Sequence, residues 1–294
     1  MKVVYGHTDS IYVQVDSVAK AQMIRADIQD SVRKHFPNVM GLDEHPVVLE
    51  FEKYFSALGV GTVRNRNAGL VSWEDGEWLD EPKFSMTGFT AKRVSETKLA
   101  KEVQTEVLKM WVNENSQAEI VQYLHNKYAD VLDGKLMPLI KRSRLRKDRL
   151  TVKCPNCNAK YHLKECLELE HSVCSKCATH TKKFTTLDGK KPTIGSGIAG
   201  VIYAWAKDTE FDDSYIFMKV LNNSEYYIHP LTKERKMVEY VSCTTAKEFE
   251  GCKPDLKHYA EQVIKKAEPI FSAMAWDLAS IRTGTIQRSL EEWF

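Results

Sequence analysis

No run of about 18 apolar residues occurs along the chain, so a membrane-spanning helix is not expected. One charge sign barely outweighs the other. Against 42 Lys and Arg stand 40 Asp and Glu, a formal net charge of +2, so bulk charge does not single out a nucleic-acid binder. Met1-Lys2-Val3 leads directly into a β-branched run and is expected to leave no room for a secretory leader. The composition of a disordered chain is absent as well. With 43% hydrophobic and 28% charged residues over 294 positions, a packed core in one large or two ordinary domains is expected. Seven cysteines, an odd number, do not make a disulfide framework, and four of them form two Cys-x-x-Cys pairs, the usage of an intracellular metal site.

What the chain contains begins at its first residues. Lys2 to Val15 reads as two β-branched and aromatic runs joined by a short turn of small and polar residues, a hairpin signal. Asp9 stands in the turn. A carboxylate held between paired strands suits a hard cation such as Mg²⁺, which takes one or two carboxylates together with substrate phosphate oxygens. On spacing alone, the plainer reading is an ordinary turn aspartate. The hexamer Tyr5-Gly6-His7-Thr8-Asp9-Ser10 resembles the Tyr-Gly-Asp-Thr-Asp-Ser palm motif of the family B DNA polymerases, with His7 as its one departure. The resemblance implies that Asp9 is the principal Mg²⁺ ligand and that position 7 lies near the primer terminus. An imidazole there removes one negative charge and is suited to hydrogen-bond the primer end or a metal-bound water. The rival implication is a degenerate, inactive remnant.

Val18 to Phe36 carries apolar residues at Val18, Met23, Ile24, Ile28, Val32 and Phe36, close to helical spacing, and Pro37 ends it. Pro46 to Trp73 alternates and predicts two or three antiparallel strands, so this segment reads as α+β with its helix on one face. Glu50 and Glu52 fall on one strand face, which reads as solvent. Similarity to the family's Glu-x-Glu-Lys strand implies instead a place beside the metal site. Val63 to Leu70 is similar to the family's Lys-Lys-Arg-Tyr-Ala-Gly segment, which holds the primer strand. Arg64 and Arg66 keep forked donors suited to phosphate on one strand face, although a pair of strand arginines is also a common surface feature. Asn67 replaces the Tyr, and with it any ring contact.

Lys92 and Arg93 match the family's basic pair ahead of a helix, which implies contact with duplex phosphates. Glu96 to Val112 is predicted helical, with Leu99, Val103, Val107, Leu108 and Trp111 as its buried stripe. Residues 117–140 read as a second helix pair around Ile120, Val121, Leu124, Tyr128, Leu132, Leu136 and Ile140. From 141 to 149, six of nine residues are basic. Such a run is commonly a solvated face. In a DNA-gripping thumb, Arg142, Arg144, Arg146 and Lys147 are expected on backbone phosphates, contacts that fix register without reading sequence.

Cys154-x-x-Cys157 and Cys174-x-x-Cys177 stand sixteen residues apart, the arrangement of a four-thiolate zinc ribbon. A closed Cys₄ site is structural and contributes folding energy rather than chemistry. Cys166, His162 and His171 lie between the pairs and read as ribbon residues without a metal role. Thumbs of this family ordinarily lack such a ribbon. It reads as an insertion whose Lys153, Lys160, Lys164 and Lys176 suit contact with DNA or a partner.

Gly195, Gly197 and Gly200 spell Gly-x-Gly-x-x-Gly, but without a preceding strand or βαβ unit they read as small residues in packed structure, not a nucleotide loop. Ser214 to Val220 reads as a strand. Pro254 to Leu278 reads as a helix with apolar Leu256, Tyr259, Val263, Ile264, Ala267, Ile270, Phe271 and Leu278, similar to the last thumb helix of archaeal members. Cys243 and Cys252 read as unligated thiols. Gln287, Leu290, Trp293 and Phe294 have the spacing of a box that binds the sliding clamp (PCNA), with three apolar side chains on one helical face and Gln287 as a hydrogen-bonding anchor. Thr283-Gly284-Thr285 looks like a hinge, and exposed terminal aromatics favour a partner over a helix docked on its own domain.

The resemblance covers nearly the whole chain apart from the zinc insertion and begins at the third palm motif. It implies an α+β fold with a partial polymerase palm, an antiparallel sheet with helix, at 1–95. A mostly helical thumb is expected at 96–150 and 181–282, interrupted by a zinc-ribbon insertion at 151–180 and followed by a clamp-binding tail at 283–294. No exonuclease domain, first palm Asp or fingers helix is recognised. The implied function is that of the C-terminal, small subunit of a split family B DNA-directed DNA polymerase, archaeal or viral. Mg²⁺ is expected at a shared palm site and Zn²⁺ as a structural ion. The expected partners are a large polymerase subunit, primer–template DNA, dNTP and the sliding clamp PCNA, with no membrane. The expected location is cytoplasmic, nucleoid-associated in an archaeal cell. Two alternatives stay open: a truncated piece of a longer chain, and a catalytically inactive DNA- and clamp-binding accessory subunit.

Overall fold

The computed structural model describes residues 2–6, 10–63, 65–135, 139–221 and 225–286. The chain divides into two compact units. The first takes Met1–Phe89, Thr105–Tyr123 and Ala267–Phe294; the second takes Thr90–Gln104 and Leu124–Lys266.

The first unit opens with β1 (Lys2–Gly6) and β2 (Ile11–Gln14), an antiparallel hairpin in which Tyr5 faces Tyr12 and Gly6 faces Ile11. Next comes α1 (Val18–His35). Its start is capped by the Ser17 hydroxyl, which accepts the Lys20 amide at 3.3 Å, and its last turn carries Arg33, Lys34 and His35, which complement the helix dipole. Residues 46–52 alternate half-buried and exposed as a strand would, yet they join no ladder. Their backbone groups bond to side chains of α1 instead. Arg33 Nε donates to Val47 O at 2.8 Å, Arg25 Nη1 donates to Leu49 O at 3.1 Å, and Leu49 N–H donates to Gln29 Oε1 at 2.9 Å. Arg25, Gln29 and Arg33 recur every four residues and so share a helix face. The strand predicted here is corrected to an extended segment held by that face.

A meander follows, β3 (Lys53–Val60), β4 (Asn67–Glu74) and β5 (Glu77–Thr87), in the order β3-β4-β5. Asp75 and Gly76 join the last two strands at φ 51° and 100°, both left-handed, as a type I′ hairpin turn requires. Central β4 buries Ala68, Val71 and Trp73, and Trp73 stacks on Phe51 at 4.5 Å between centroids.

Helix α2 (Lys98–Val112) buries Leu99, Val103, Val107 and Leu108 of its predicted stripe, while Trp111 is half-buried. The helix pair predicted over 117–140 is a single helix, α3 (Gln117–Leu132), which buries Ile120, Val121 and Leu124. Leu136 lies outside the described residues, and Ile140 leads into a strand.

The rest of the second unit is mixed rather than mostly helical. In chain order come β6 (Lys141–Arg144), α4 (Lys147–Leu150), β7 (Thr151–Lys153), β8 (Lys160–His162), α5 (Leu163–Glu168), β9 (Thr185–Thr186) and α6 (Ser196–Trp205). Then follow β10 (Ser214–Lys219), β11 (Tyr226–Ile228), β12 (Arg235–Met237) and β13 (Tyr240–Cys243). They form small antiparallel sheets of order β13-β10-β6, β8-β7-β9 and β11-β12. Helix α6 sits close on β10 and β13 through its glycines: a Cβ at Gly200 would lie 2.4 Å from Ser242 Oγ, and Ser242 Oγ donates to Gly197 O at 2.8 Å. The predicted terminal helix is observed as α7 (Leu256–Met274), and a separate short helix, α8 (Ala279–Thr283), follows it. Among the described residues, no helix is long and apolar enough to cross a membrane.

Candidate functional site

Aromatic rings brace the hairpin. Tyr5 and Tyr12 meet edge-on at 5.3 Å between centroids, and Tyr12 lies 6.1 Å from Phe55. Tyr5 Oη donates to Asn65 Oδ1 at 3.2 Å, which ties the hairpin to the connection between β3 and β4. Arg66 is half-buried in that connection, where its carbonyl accepts Gly61 N–H at 2.8 Å. It therefore belongs to a turn and not to the strand face predicted for it. Gly88 closes against the same turn at φ +75°; any Cβ there would come within 1.7 Å of Asn65 O. Asn67 is buried at the start of β4. Burial raises the Tyr12 phenol above its ordinary value, Tyr5 and Glu52 add to the rise, and Asn67 opposes it. Glu50 and Glu52 are both exposed. A cleft of about 800 Å³ opens beside these elements, lined by Val4, Ile11, Val13, Ile24 and Ile28 among others.

Two basic groups face solvent in the second unit. Lys92 ends a single 3₁₀ turn, Thr90–Lys92, and Arg93 N–H donates back to Thr90 O at 2.9 Å; both side chains are exposed. Arg142 and Arg144 alternate with Ser143 along β6, the edge strand of its sheet, and are exposed. Arg146 Nε lies 3.7 Å from Asp148 Oδ1, and exposed Lys147 opens α4.

Four thiols converge. The sulfurs of Cys154, Cys157, Cys174 and Cys177 all lie within 4.8 Å of one another, with Cys154–Cys177 at 3.5 Å and Cys157–Cys174 at 3.4 Å. A tetrahedral zinc ion bound at ~2.3 Å sets its sulfurs ~3.8 Å apart, so the donor set fits zinc. Two knuckles of like build aim the sulfurs. Cys154 N–H donates to Ala159 O at 2.9 Å and Cys174 N–H to Thr179 O at 2.8 Å. Asn158 and Ala178, at φ 57° and 56°, return their amides to the carbonyls of Cys154 and Cys174 at 3.0 and 2.9 Å.

Tyr161 Oη lies 3.1 Å from Cys174 Sγ and accepts Ser175 N–H at 3.1 Å, which fixes the second knuckle. The Thr179 hydroxyl, 3.1 Å from Cys177 Sγ, and the Thr179 amide hold the Cys177 thiol down to about 6. Cys166 is fully buried, burial pushes its thiol up to about 12, and it stands outside the cluster of four sulfurs. His162 caps α5: its Nδ1 accepts Lys164 N–H at 3.2 Å while Glu165 accepts the His162 amide at 2.9 Å. Lys160 and Lys176 are exposed and Lys153 is half-buried, whereas Lys164 pairs with Glu210. Cys243 is buried and likewise pushed up to about 12 by burial.

Residues 1–274 match the description of DNA polymerase family B. The chain belongs to the family B DNA polymerases. It is 29% identical over 135 residues to a DNA polymerase of Archaeoglobus fulgidus, a stretch that covers 46% of this chain and 15% of that protein. It is 26% identical over 260 residues to the DNA polymerase delta catalytic subunit of Candida albicans, covering 84% of this chain and 22% of that protein. The chain thus spans well under two thirds of the length of these curated relatives.

In this family B chain the structure brings the hairpin of β1 and β2 and the turn bearing Arg66 together, and it gathers the four cysteines. His7, Asp9 and Arg64 lie outside the described residues, as do Gln287, Leu290, Trp293 and Phe294. Sequence reasoning missed Lys266, Glu96 and Gln104, which form a polar cluster under the Lys92–Arg93 loop. One signal was available, because Lys266 interrupts an apolar stripe between Val263 and Ile270.

Proposed function

We propose that this chain is the C-terminal, small subunit of a split DNA-directed DNA polymerase. The observation that carries the reading is the family match over residues 1–274, which includes the hairpin hexamer. In it, Asp9 and a carboxylate on a large polymerase subunit would hold Mg²⁺. The ions supply Lewis-acid stabilisation of charge on the transferred phosphoryl group. His7 takes the primer end, and Arg64 and Arg66 hold the primer strand. Lys92, Arg93, Arg142, Arg144, Arg146 and Lys147 take backbone phosphates of primer–template DNA, with dNTP entering at the shared site. Cys154, Cys157, Cys174 and Cys177 hold a structural Zn²⁺, and Gln287, Leu290, Trp293 and Phe294 engage the sliding clamp. Its proposed place of work is the cytoplasm, at the nucleoid in an archaeal cell.

Support for a companion subunit comes from the surface of the first unit. Among the described residues the hairpin pairs with no further strand, and Val3, Val4 and Ile11 are 53%, 40% and 52% exposed beside the cleft. Open strand edges and apolar surface of this kind accept an added segment.

The test is primer extension by the chain reconstituted with a large subunit carrying the remaining palm and fingers. Asp9→Asn should reduce extension to background while leaving DNA binding largely intact, since on this reading the acid serves the metal rather than the duplex. Extension that survives in Asp9→Asn favours the second reading, a catalytically inactive DNA- and clamp-binding subunit, for which the His7 departure speaks.

A further inference from the structure

We propose that Lys266 is the positioning residue for the Lys92–Arg93 pair: its ammonium clips both ends of the loop that presents these two cations to a nucleic-acid backbone. The inference rests on the DNA-contact role given to Lys92 and Arg93 above.

Lys266 lies on α7 with its side chain only 9% exposed. Its Nζ meets one loop twice. At the start of the loop it donates to Thr90 Oγ1 at 2.8 Å, and at the end it lies 3.0 Å from Glu96 Oε1. Between these anchors Lys92, Arg93, Val94 and Ser95 are all exposed, Val94 to 73%. The Thr90 hydroxyl in turn donates to Gln104 Oε1 at 3.0 Å, and that same oxygen accepts Ala91 N–H at 2.7 Å. Gln104 is itself buried. One ammonium, one carboxylate, one hydroxyl and one amide therefore fix where the loop leaves and rejoins the body of the unit.

Such a cluster is a poor device for stability alone. Burying an ammonium is costly unless charge and hydrogen bonds are matched, and an apolar residue of similar volume often serves a core as well or better. Position 266 is a place where an apolar residue would continue the stripe of α7. What the ammonium adds is geometry. A loop free at its ends must be ordered before its cations can engage phosphates, a cost greater than two exposed ion pairs return. Unclipped cations therefore forgo the contact, whereas a clipped loop is ordered beforehand. Each phosphate engaged by a cation steepens the salt dependence of duplex binding by about 0.9 on a log–log plot, so the pair accounts for about 1.8.

The experiment uses the full chain, a primer–template duplex, and amide exchange with and without DNA. Lys266→Met keeps the length of the side chain and removes the charge. It should accelerate exchange across residues 90–96 and make the salt slope shallower by about 1.8, so that the affinity gap from the parent narrows about 12-fold between 50 and 200 mM salt. Adding Lys92→Ala and Arg93→Ala to that variant should weaken binding no further, and Lys266→Arg, which can bridge both anchors, should restore the slope. Thr90→Val severs one arm only and should give an intermediate slope, which keeps the proposal testable if Lys266→Met does not fold. Unchanged exchange and slope in Lys266→Met, while Lys92→Ala with Arg93→Ala still weakens binding, overturns the clip alone. Binding untouched by Lys92→Ala with Arg93→Ala overturns the DNA-contact reading, and the proposal with it.

Discussion

Gly200→Ala decides whether Gly195, Gly197 and Gly200 serve packing or phosphate. A Cβ at position 200 would lie 2.4 Å from Ser242 Oγ, 2.7 Å from Tyr240 O and 3.0 Å from Ser242 N. Two of those three atoms belong to the backbone of β13, so relief requires helix and strand to move apart. Overpacking of this kind costs about 1–3 kcal/mol. Displacing Ser242 also weakens its bond to Gly197 O, a loss of about 1 kcal/mol, while the better helix propensity of alanine returns a similar amount. The net destabilisation is about 1–3 kcal/mol. For a unit of this size each kcal/mol lowers the melting midpoint by about 2–4 °C, so a fall of about 2–12 °C is expected.

Gly197→Ala should also destabilise, because its Cβ would meet the buried Tyr215 ring, with Oη at 2.7 Å and Cε2 at 2.8 Å. Gly195→Ala has nothing within 4 Å and should be close to neutral. Thermal unfolding by circular dichroism, run beside equilibrium dNTP binding on the same three variants, makes the comparison. A position-200 variant as stable as the parent, together with loss of dNTP binding in the position-195 variant, refutes the packing account.

Two further outcomes follow from the second unit. Removing metal with a strong chelator at neutral pH, or making Cys154→Ser, should release one zinc per chain and raise amide exchange over residues 151–186 while β3 to β5 stay protected; a metal-free chain with unchanged exchange there excludes a structural ion. His229 is buried, and its Nδ1 accepts the Leu231 and Thr232 amides at 3.3 and 3.2 Å. Burial first, then Lys236, lowers its pKa below the ordinary 6.5, so the unfolded chain binds the proton more readily than the folded one. Stability is therefore whole above pH 6.5 and declines as pH falls below it, and His258, lowered by burial, acts with the same sign. Urea midpoints between neutral pH and about pH 5 measure this, and His229→Asn should flatten the decline. A parent midpoint that does not move with pH contradicts it.

Much of the fold was legible wherever the determining contacts are local. The hairpin from Lys2 to Gln14 announces itself because both strands and their turn lie in one short window, and β1 pairs with β2 in that register. The cysteine spacing was equally plain, since two knuckles that each hold a pair of sulfurs need only a loop long enough to bring them together. Residues 46–52 show the limit of such reasoning. Their alternation states which side chains are buried, but it is the same whether the backbone meets another strand or the side chains of Arg25, Gln29 and Arg33. The basic run was read for its charge and not for its period of two, so β6 went unseen. Its partner strand β10 lies at Ser214–Lys219, beyond the reach of any local pattern.

Lys266 was hidden for a related reason and carries a different lesson. Its anchor Thr90 stands 176 positions away in sequence, and no periodicity relates the two. What the sequence does display is the misfit, a lysine where the stripe of α7 calls for an apolar side chain. Local rules are broken most often where function or strain requires it, because every other level of a natural sequence tends to agree with the fold. Gln104 is the same kind of misfit in α2, buried at 3% exposure between Ala100 and Leu108. Two such departures, on helices remote in sequence, meet at a single hydroxyl under the exposed pair Lys92 and Arg93. Each misfit alone would pass as a tolerated polar residue in a core. Their meeting at that loop makes a shared task the simpler physical account.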